Sequence, residues 1–331
     1  MGHRRWQIDA SDAMGRGIMV LDAVTGDVVW QAKYGATGGA TCKGTPCQLS
    51  EMKYSIPADI TLVDRNYDGL IDRLYAADLG GNLWRVDLAT SISDWQVTQI
   101  AALGGTGTTK RKFFFPPDVV VTKNFDAVVA ISGDREHPLL SNTANSVVNR
   151  FYMIKDTQVS GPSSSWVTVH DDTLTTANTK PADLYNATAS VYDNSGRGFY
   201  MSLLGSGEKG VNAPTTFGGS VYFGTNRPIA STSLTCQANL GEARGYTVNF
   251  VTGASKSTVF DGGGLPPSPV TGVVEITHKD GNGDTTTSYV PFVIGGGGGT
   301  GADAKSALGG ERVMIPIPTT KRRTYWYRLR D

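Results

Sequence analysis

The chain is predicted to be all-β, a modified β-propeller of about seven irregular blades with long loop insertions, and three observations lead there. First, 331 residues include 41 glycines and 15 prolines but only 18% charged residues, a chain of turns with little amphipathic helix, because Gly and Pro punctuate strands and weaken helices. Second, short apolar runs alternate with turn residues along nearly the whole length. Third, hairpin units recur loosely, and radial repetition of hairpins protects sheet edges. A blade takes about 40–50 residues, so there is room for about 6–8, fewer where insertions intervene. A β-sandwich is the alternative the same pattern allows.

Taken in order, residues 17–30 read as strand, tight turn, strand, with Asp22 and Thr25-Gly26 supplying the turn chemistry between two apolar runs. A similar unit spans 74–88 and a third 245–253. Further strands are expected at 119–121, 127–131, 150–154, 198–203, 220–224, 289–294 and 324–329. Two stretches have the composition of exposed loops: 157–180, rich in Ser and Thr, and 261–269, rich in Gly and Pro. The run Gly295–Gly299 comes after an apolar segment and reads as a strand leading into a backbone-crowded loop. The length is ample for a substantial core, and 1–331 is read as a single domain.

Composition excludes some partners. The formal net charge is zero, so no basic field exists to attract a phosphate backbone, and nucleic acid is not an expected partner. No run approaches the roughly 18 apolar residues of a membrane-spanning helix. Met1-Gly2-His3-Arg4-Arg5-Trp6 does not lead into the apolar core of a signal peptide, so the chain is read as the C-terminal part of a longer protein whose export signal lies elsewhere. Of three cysteines, Cys42 and Cys47 share a Gly/Thr/Pro loop in which a short disulfide can form, leaving Cys236 over. That pairing implies an oxidising compartment.

The most specific chemistry lies in Asp64-Arg65-Asn66-Tyr67-Asp68-Gly69-Leu70-Ile71-Asp72. Side-chain oxygens stand at loop positions 1, 3, 5 and 9 and a glycine at 6, the pattern of a calcium loop. Ca²⁺ takes about 6–8 oxygen ligands at about 2.3–2.6 Å, and alternate positions of a tightly curled loop can face one ion. Gly69 permits the turn that aims the Leu70 carbonyl inward. The expected ligands are Asp64, Asn66, Asp68, the Leu70 carbonyl and Asp72. An EF-hand would carry Glu at position 12, where Tyr75 stands, and would be flanked by helices. Here the flanks, 60–63 and 73–78, are β-branched and aromatic and read as strands. A polar hairpin turn without metal is the bland alternative.

Other motifs carry less. Gly205-Ser206-Gly207-Glu208-Lys209-Gly210 spells the dinucleotide fingerprint, but Pro214 and a Gly pair replace the helix that must meet the pyrophosphate. Residues 104–110 lack the order of a phosphate-binding loop. Asp280-Gly281-Asn282-Gly283-Asp284 repeats the 1, 3, 5 spacing, with Ser288 at position 9, and reads as a hairpin turn. His3, His137, His170 and His278 are scattered without metal-ligand spacing, Asp134-Arg135-Glu136-His137 reads as a turn, and no nucleophile elbow is present. Basic and aromatic residues at 321–328 read as a closing strand.

Asp64-x-Asn66-x-Asp68-Gly69-x-x-Asp72-Arg73-x-Tyr75-Ala76-x-Asp78-x-x-Gly81-Asn82-Leu83-Trp84-Arg85-Val86-Asp87-Leu88 resembles the C-terminal propeller of the PilY1 family, tip-associated proteins of bacterial type IV pili. Val221-Tyr222-Phe223-Gly224-Thr225 and Thr324-Tyr325-Trp326-Tyr327-Arg328 resemble the same family in the expected order. The resemblance implies a modified propeller at the cell surface or pilus tip, outer-membrane-associated and exported through the periplasm. It also implies metal ligation by Asp64, Asn66, Asp68 and Asp72, calcium-dependent control of pilus extension and retraction, minor pilins as partners, and host or surface ligands in some members. The family's large N-terminal region is absent from this sequence, and adhesive roles located there do not carry over. A non-enzymatic role is expected. Two alternatives stand beside it. Asp22-Ala23-Val24-Thr25-Gly26-Asp27-Val28-Val29-Trp30 resembles the blade motif of quinoprotein dehydrogenases, which use pyrroloquinoline quinone with Ca²⁺. A calcium-stabilised propeller serving only as an adhesion scaffold is the other.

Overall fold

The computed structural model describes residues 12–105, 110–139, 143–161, 166–171, 183–230, 239–279, 285–296 and 305–313. Strands β1 (Gly17–Leu21) and β2 (Val28–Tyr34) pair antiparallel as the expected hairpin. Its turn is held by Asp22, whose Oδ1 accepts the amides of Val24 and Thr25 at 2.8 Å each, while Gly26 takes the left-handed φ of 77° that completes the reversal. Next come β3 (Thr41–Lys43) and β4 (Cys47–Leu49), tied by the Cys42–Cys47 disulfide with a Cα–Cα distance of 5.7 Å. β4 completes a three-stranded sheet with β2, and β3 pairs with the next sheet along the chain. Cys236 lies outside the described residues.

The second sheet is an antiparallel meander of β5 (Thr61–Val63), β6 (Arg73–Ala77), β7 (Asn82–Asp87) and β8 (Gln96–Ala102). The third is built on β9 (Asp118–Val121), β10 (Asp126–Ile131) and β11 (Arg150–Asp156). β12 (Val169–His170) adds parallel to β8 of the second sheet, so part of the 157–180 stretch expected as loop extends a sheet instead. β13 (Tyr185–Asn186) and β14 (Gly198–Ser202) finish the third sheet. The fourth gathers β15 (Lys209–Gly210), β16 (Thr215–Phe217), β17 (Ser220–Arg227), β18 (Glu242–Asn249) and β19 (Ser255–Phe260). A long hairpin, β20 (Val270–Lys279) and β21 (Thr285–Ile294), and β22 (Gly310–Arg312) make the fifth. The strands expected at 119–121, 127–131, 150–154, 198–203, 220–224 and 289–294 fall on β9, β10, β11, β14, β17 and β21; those at 324–329, and the 280–284 turn, lie outside the described residues.

Strand alternation explains how the sheets stack. Leu74, Ala76, Trp84 and Val86 of the second sheet pack with Ile18, Trp30, Leu49 and Met52 of the first sheet and the loop after it. Residues one step out of phase, Tyr75, Ala77 and Leu83, pack with Val128, Ala130, Tyr152 and Ile154 of the third. The third sheet's other face, with Val129, Phe151 and Phe199, meets Val221, Phe223, Tyr246 and Val248 of the fourth. Phe223 stacks nearly parallel between Phe151 and Tyr246, at centroid distances of 5.2 and 5.1 Å. Tyr222, on the fourth sheet's far face, meets Val293 and Val313. Both faces of each middle sheet are therefore buried, which is why β6, β7, β10 and β11 are buried along their whole lengths. This face-to-face succession is the propeller arrangement, but the described residues form five sheets rather than about seven and no closed ring. A β-sandwich, which has two sheets, is thereby ruled out.

The turn between β6 and β7 contains a buried carboxylate with a measurable consequence. Asp78 accepts hydrogen bonds from the amides of Gly80 and Asn82, the Asn82 side chain and Trp84 Nε1. Burial pushes its pKa up to about 6 from 3.8, while the Trp84, Asn82 and Gly80 donors pull the other way. For an acid raised on folding, the native state holds the proton longer than the unfolded chain, so its contribution to stability is fullest below the unfolded pKa and falls as pH rises. The wild type is expected to lose about 3 kcal/mol between pH 4 and pH 6 through this group, a slope missing in Asp78→Asn. Urea denaturation of both proteins across that range tests it, and equal slopes refute it.

Candidate metal centre and the junction behind it

The nine-residue loop is the connection of the β5–β6 hairpin, as the flanking sequence predicts. The strands pair up to Val63 and Arg73, and the Asp72 amide donates to the Val63 carbonyl at 2.9 Å, so both ends of the loop are held together. Within it the acidic side chains fold the backbone inward. Asp64 accepts the amides of Asp68 at 3.2 Å and Gly69 at 2.8 Å through its two oxygens. Asn66 Oδ1 accepts the Asp68 amide at 2.9 Å, and Asp68 Oδ1 that of Leu70 at 2.8 Å. Asp72 Oδ2 reaches back across the loop to the amides of Arg65 and Asn66 at 2.7 and 3.2 Å. Gly69 takes φ 89°, and Tyr67 takes φ 61°, a left-handed conformation uncommon for a bulky residue. Tyr67 and Leu70 project outward, 78% and 70% exposed.

All five expected donors thus lie in one short loop: three carboxylates, a carboxamide and a main-chain carbonyl. They are oxygen donors throughout, the type a hard cation takes, and a carboxylate oxygen that accepts one amide keeps a second lone pair. The three carboxylates are not drawn tightly together: among the described residues, the group whose ligand atoms gather within 4.8 Å is Asp134, Glu136 and His137. In that group Asp134 Oδ2 is already committed to Lys112 Nζ and His137 Nδ1, each at 2.9 Å, as befits the turn the sequence suggests.

Behind the loop lies a buried ionic junction between the second and third sheets. Arg65, at loop position 2, places Nε 3.0 and 3.2 Å from the two oxygens of Asp126 on β10, and its Nη2 donates to the Thr122 carbonyl at 3.0 Å. Arg73, directly after Asp72, donates from Nη1 to Asp126 at 2.8 Å, pairs through Nε with Asp87 at 3.0 Å, and bonds the Gln158 carbonyl. Arg85 donates from Nη1 to both oxygens of Asp156, at 2.6 and 2.7 Å, and from Nε to Asp87 at 2.8 Å. Tyr75 donates to Asp156 at 2.9 Å. The position-12 residue that argues against an EF-hand is therefore a member of this junction.

Charge state is set by the surroundings. Burial pulls the Arg73 guanidinium down, but Tyr75, Asp87, Asp156 and Asp126 outweigh it and hold the pKa above the ordinary value. Burial pushes Asp87 up, against Arg85 and Arg73. Burial and then Asp156 push the Tyr75 hydroxyl well above its usual range, so it remains a donor. Sequence reasoning missed this junction. Its trace was there, in two arginines inside otherwise apolar strands, Arg73 and Arg85, since a charge in a fully buried strand needs a partner.

The remaining motifs have structural occupations. The 205–210 run folds as a turn in which Glu208 accepts Thr225 Oγ1 and Tyr246 OH at 2.7 and 2.8 Å and Lys209 donates to Asn145 Oδ1 at 2.8 Å; the next element is a strand, not a helix. The quinoprotein-like run ends in Trp30, fully buried, whose Nε1 donates to the Gly44 carbonyl at 2.8 Å.

Comparison with known proteins agrees with this architecture. Residues 13–148, which contain the loop, the junction's arginines and the whole meander of the second sheet, match the family profile of the PilY1 beta-propeller domain of type IV pili. This stretch is a PilY1 propeller. The fold of the chain is also similar to that in the crystal structure of the Pseudomonas aeruginosa PilY1 C-terminal domain, with a TM-score of 0.51 and 16% identity over 86% of this chain and 66% of that one. The chain thus spans just under two thirds of that structure's length, and at this identity the likeness is one of fold. Among curated proteins no match is found.

Proposed function

We propose that this chain is the single-domain, calcium-binding propeller of a type IV pilus biogenesis or tip protein, in which occupancy of the 64–72 loop regulates pilus extension and retraction, twitching and surface attachment. The observation that carries the reading is the loop itself: Asp64, Asn66, Asp68, the Leu70 carbonyl and Asp72, oxygen donors at alternating positions of one inward-folded hairpin connection. Bound Ca²⁺ would supply positive charge to three neighbouring carboxylates, and without it their mutual repulsion loosens the loop. The role is binding rather than catalysis. Minor pilins are the proposed partners, with host or surface ligands beyond them, and the place of action is the cell surface or pilus tip after export through the periplasm, where the Cys42–Cys47 disulfide would persist.

Calorimetric titration with Ca²⁺ is expected to give a single site in the wild type and at least about tenfold weaker binding in Asp72→Ala, because ligand charge count sets affinity in such loops. Equal binding by the two proteins removes the loop from the reading. Complementation with Asp64→Ala and Asp72→Ala, scoring surface pili and twitching, tests the regulatory half; normal pili and twitching in a variant that no longer binds calcium would leave a scaffold role.

A further inference from the structure

The two arginines that flank the end ligands of the loop converge on one buried carboxylate of the neighbouring sheet. Arg65 comes directly after Asp64 and Arg73 directly after Asp72; both meet Asp126, whose side chain is fully buried on β10. The peptide of Arg65 is itself fixed by Asp72 Oδ2, at 2.7 Å from the Arg65 amide. The position of the last ligand therefore sets the position of the arginine that crosses to the third sheet. Arg65 also grips the Thr122 carbonyl, in the turn between β9 and β10.

We propose that Asp126, Arg65 and Arg73 form a clasp through which filling the loop stiffens the junction between the second and third sheets, Arg65 acting as the positioning residue. This rests on the calcium reading above. An ion that draws Asp64 and Asp72 together orders the backbone of Arg65 and Arg73, and the ordered guanidiniums hold β10 in register with β6. Coupling of this kind is reciprocal, so breaking the clasp must also weaken the loop's hold on the ion.

Hydrogen exchange with and without Ca²⁺ on the wild type and Arg65→Met tests it, with calorimetry on the same proteins. Arg65 is partly exposed, with 19% of its side chain accessible, so the variant keeps the core intact; Arg73 would not. In the wild type, calcium is expected to slow exchange across 64–72 and also across 118–131. In Arg65→Met the protection is confined to 64–72, and calcium binds about five- to tenfold more weakly. Calcium binding by the wild type with protection limited to the loop, or full protection of 118–131 in Arg65→Met, overturns the clasp while leaving the calcium site standing. No calcium binding by the wild type overturns both.

Discussion

Asp156→Ala is expected to lower the unfolding free energy by about 3–5 kcal/mol, because it leaves a guanidinium uncompensated in the interior. Asp156 is fully buried and takes both of its bonds to Arg85 Nη1 at 2.6 and 2.7 Å, together with the Tyr75 hydroxyl. Arg85 has no route to water, its side chain being 0% exposed. Without Asp156 its charge is left to Asp87, which already pairs with Arg73. Asp87 cannot serve both arginines as two separate carboxylates do. The double variant Asp156→Leu/Arg85→Met is expected to lose less than Asp156→Ala, since removing both charges removes the desolvation cost of each. Urea denaturation followed by tryptophan fluorescence gives the comparison; a loss below about 1 kcal/mol in Asp156→Ala would mean that packing, not this ion pair, holds the two sheets.

Trp84→Ala is expected to cost a similar amount, about 3–5 kcal/mol, for a different reason. Trp84 is fully buried on β7 in the cluster between the first and second sheets, beside Leu74, Val86 and Val97. Truncation removes a large apolar side chain from a site enclosed by strands on both sides, where the neighbours cannot collapse into the space. It also takes a donor from Asp78, whose Oδ2 accepts Trp84 Nε1 at 2.9 Å in a place without solvent. Trp84→Phe separates the two effects. It keeps most of the volume and loses the donor, and a cost of about 1–3 kcal/mol is expected from the deprived carboxylate. The denaturation midpoints of the three proteins rank wild type, then Phe, then Ala; a Phe variant as stable as the wild type would show that the Asp78 bond contributes nothing.

These two residues mark where the sequence is legible and where it is not. Trp84 stands out in the sequence because the strand–turn–strand unit at 74–88 is local: the apolar alternation, the Asp78 turn and the tryptophan lie within reach of one another along the chain. The same locality makes the 64–72 loop readable, since all its donors come from nine consecutive residues and the turn needs only Gly69. The pairing of Cys42 with Cys47 belongs to this class, and so does the rejection of a dinucleotide site at 205–210, which depends on Pro214 and the Gly pair a few residues further on. Asp126 and Asp156 are different. Neither has a neighbour in sequence that explains it: Asp126 meets Arg73 across 53 positions of chain and Asp156 meets Arg85 across 71, each over a sheet boundary.

The sequence by itself determined the all-β class, the hairpin units and the set of oxygen donors at 64–72, because each depends on contacts between residues a few positions apart, where backbone geometry leaves few choices. The tertiary structure decided how many sheets assemble among the described residues, that β12 leaves its loop to join the second sheet, and that Arg65 and Arg73 tie the loop to Asp126. Those outcomes depend on which buried faces and charges meet when distant strands stack. A buried charge takes whichever partner the packing brings within hydrogen-bond reach, and spacing along the chain does not specify that partner.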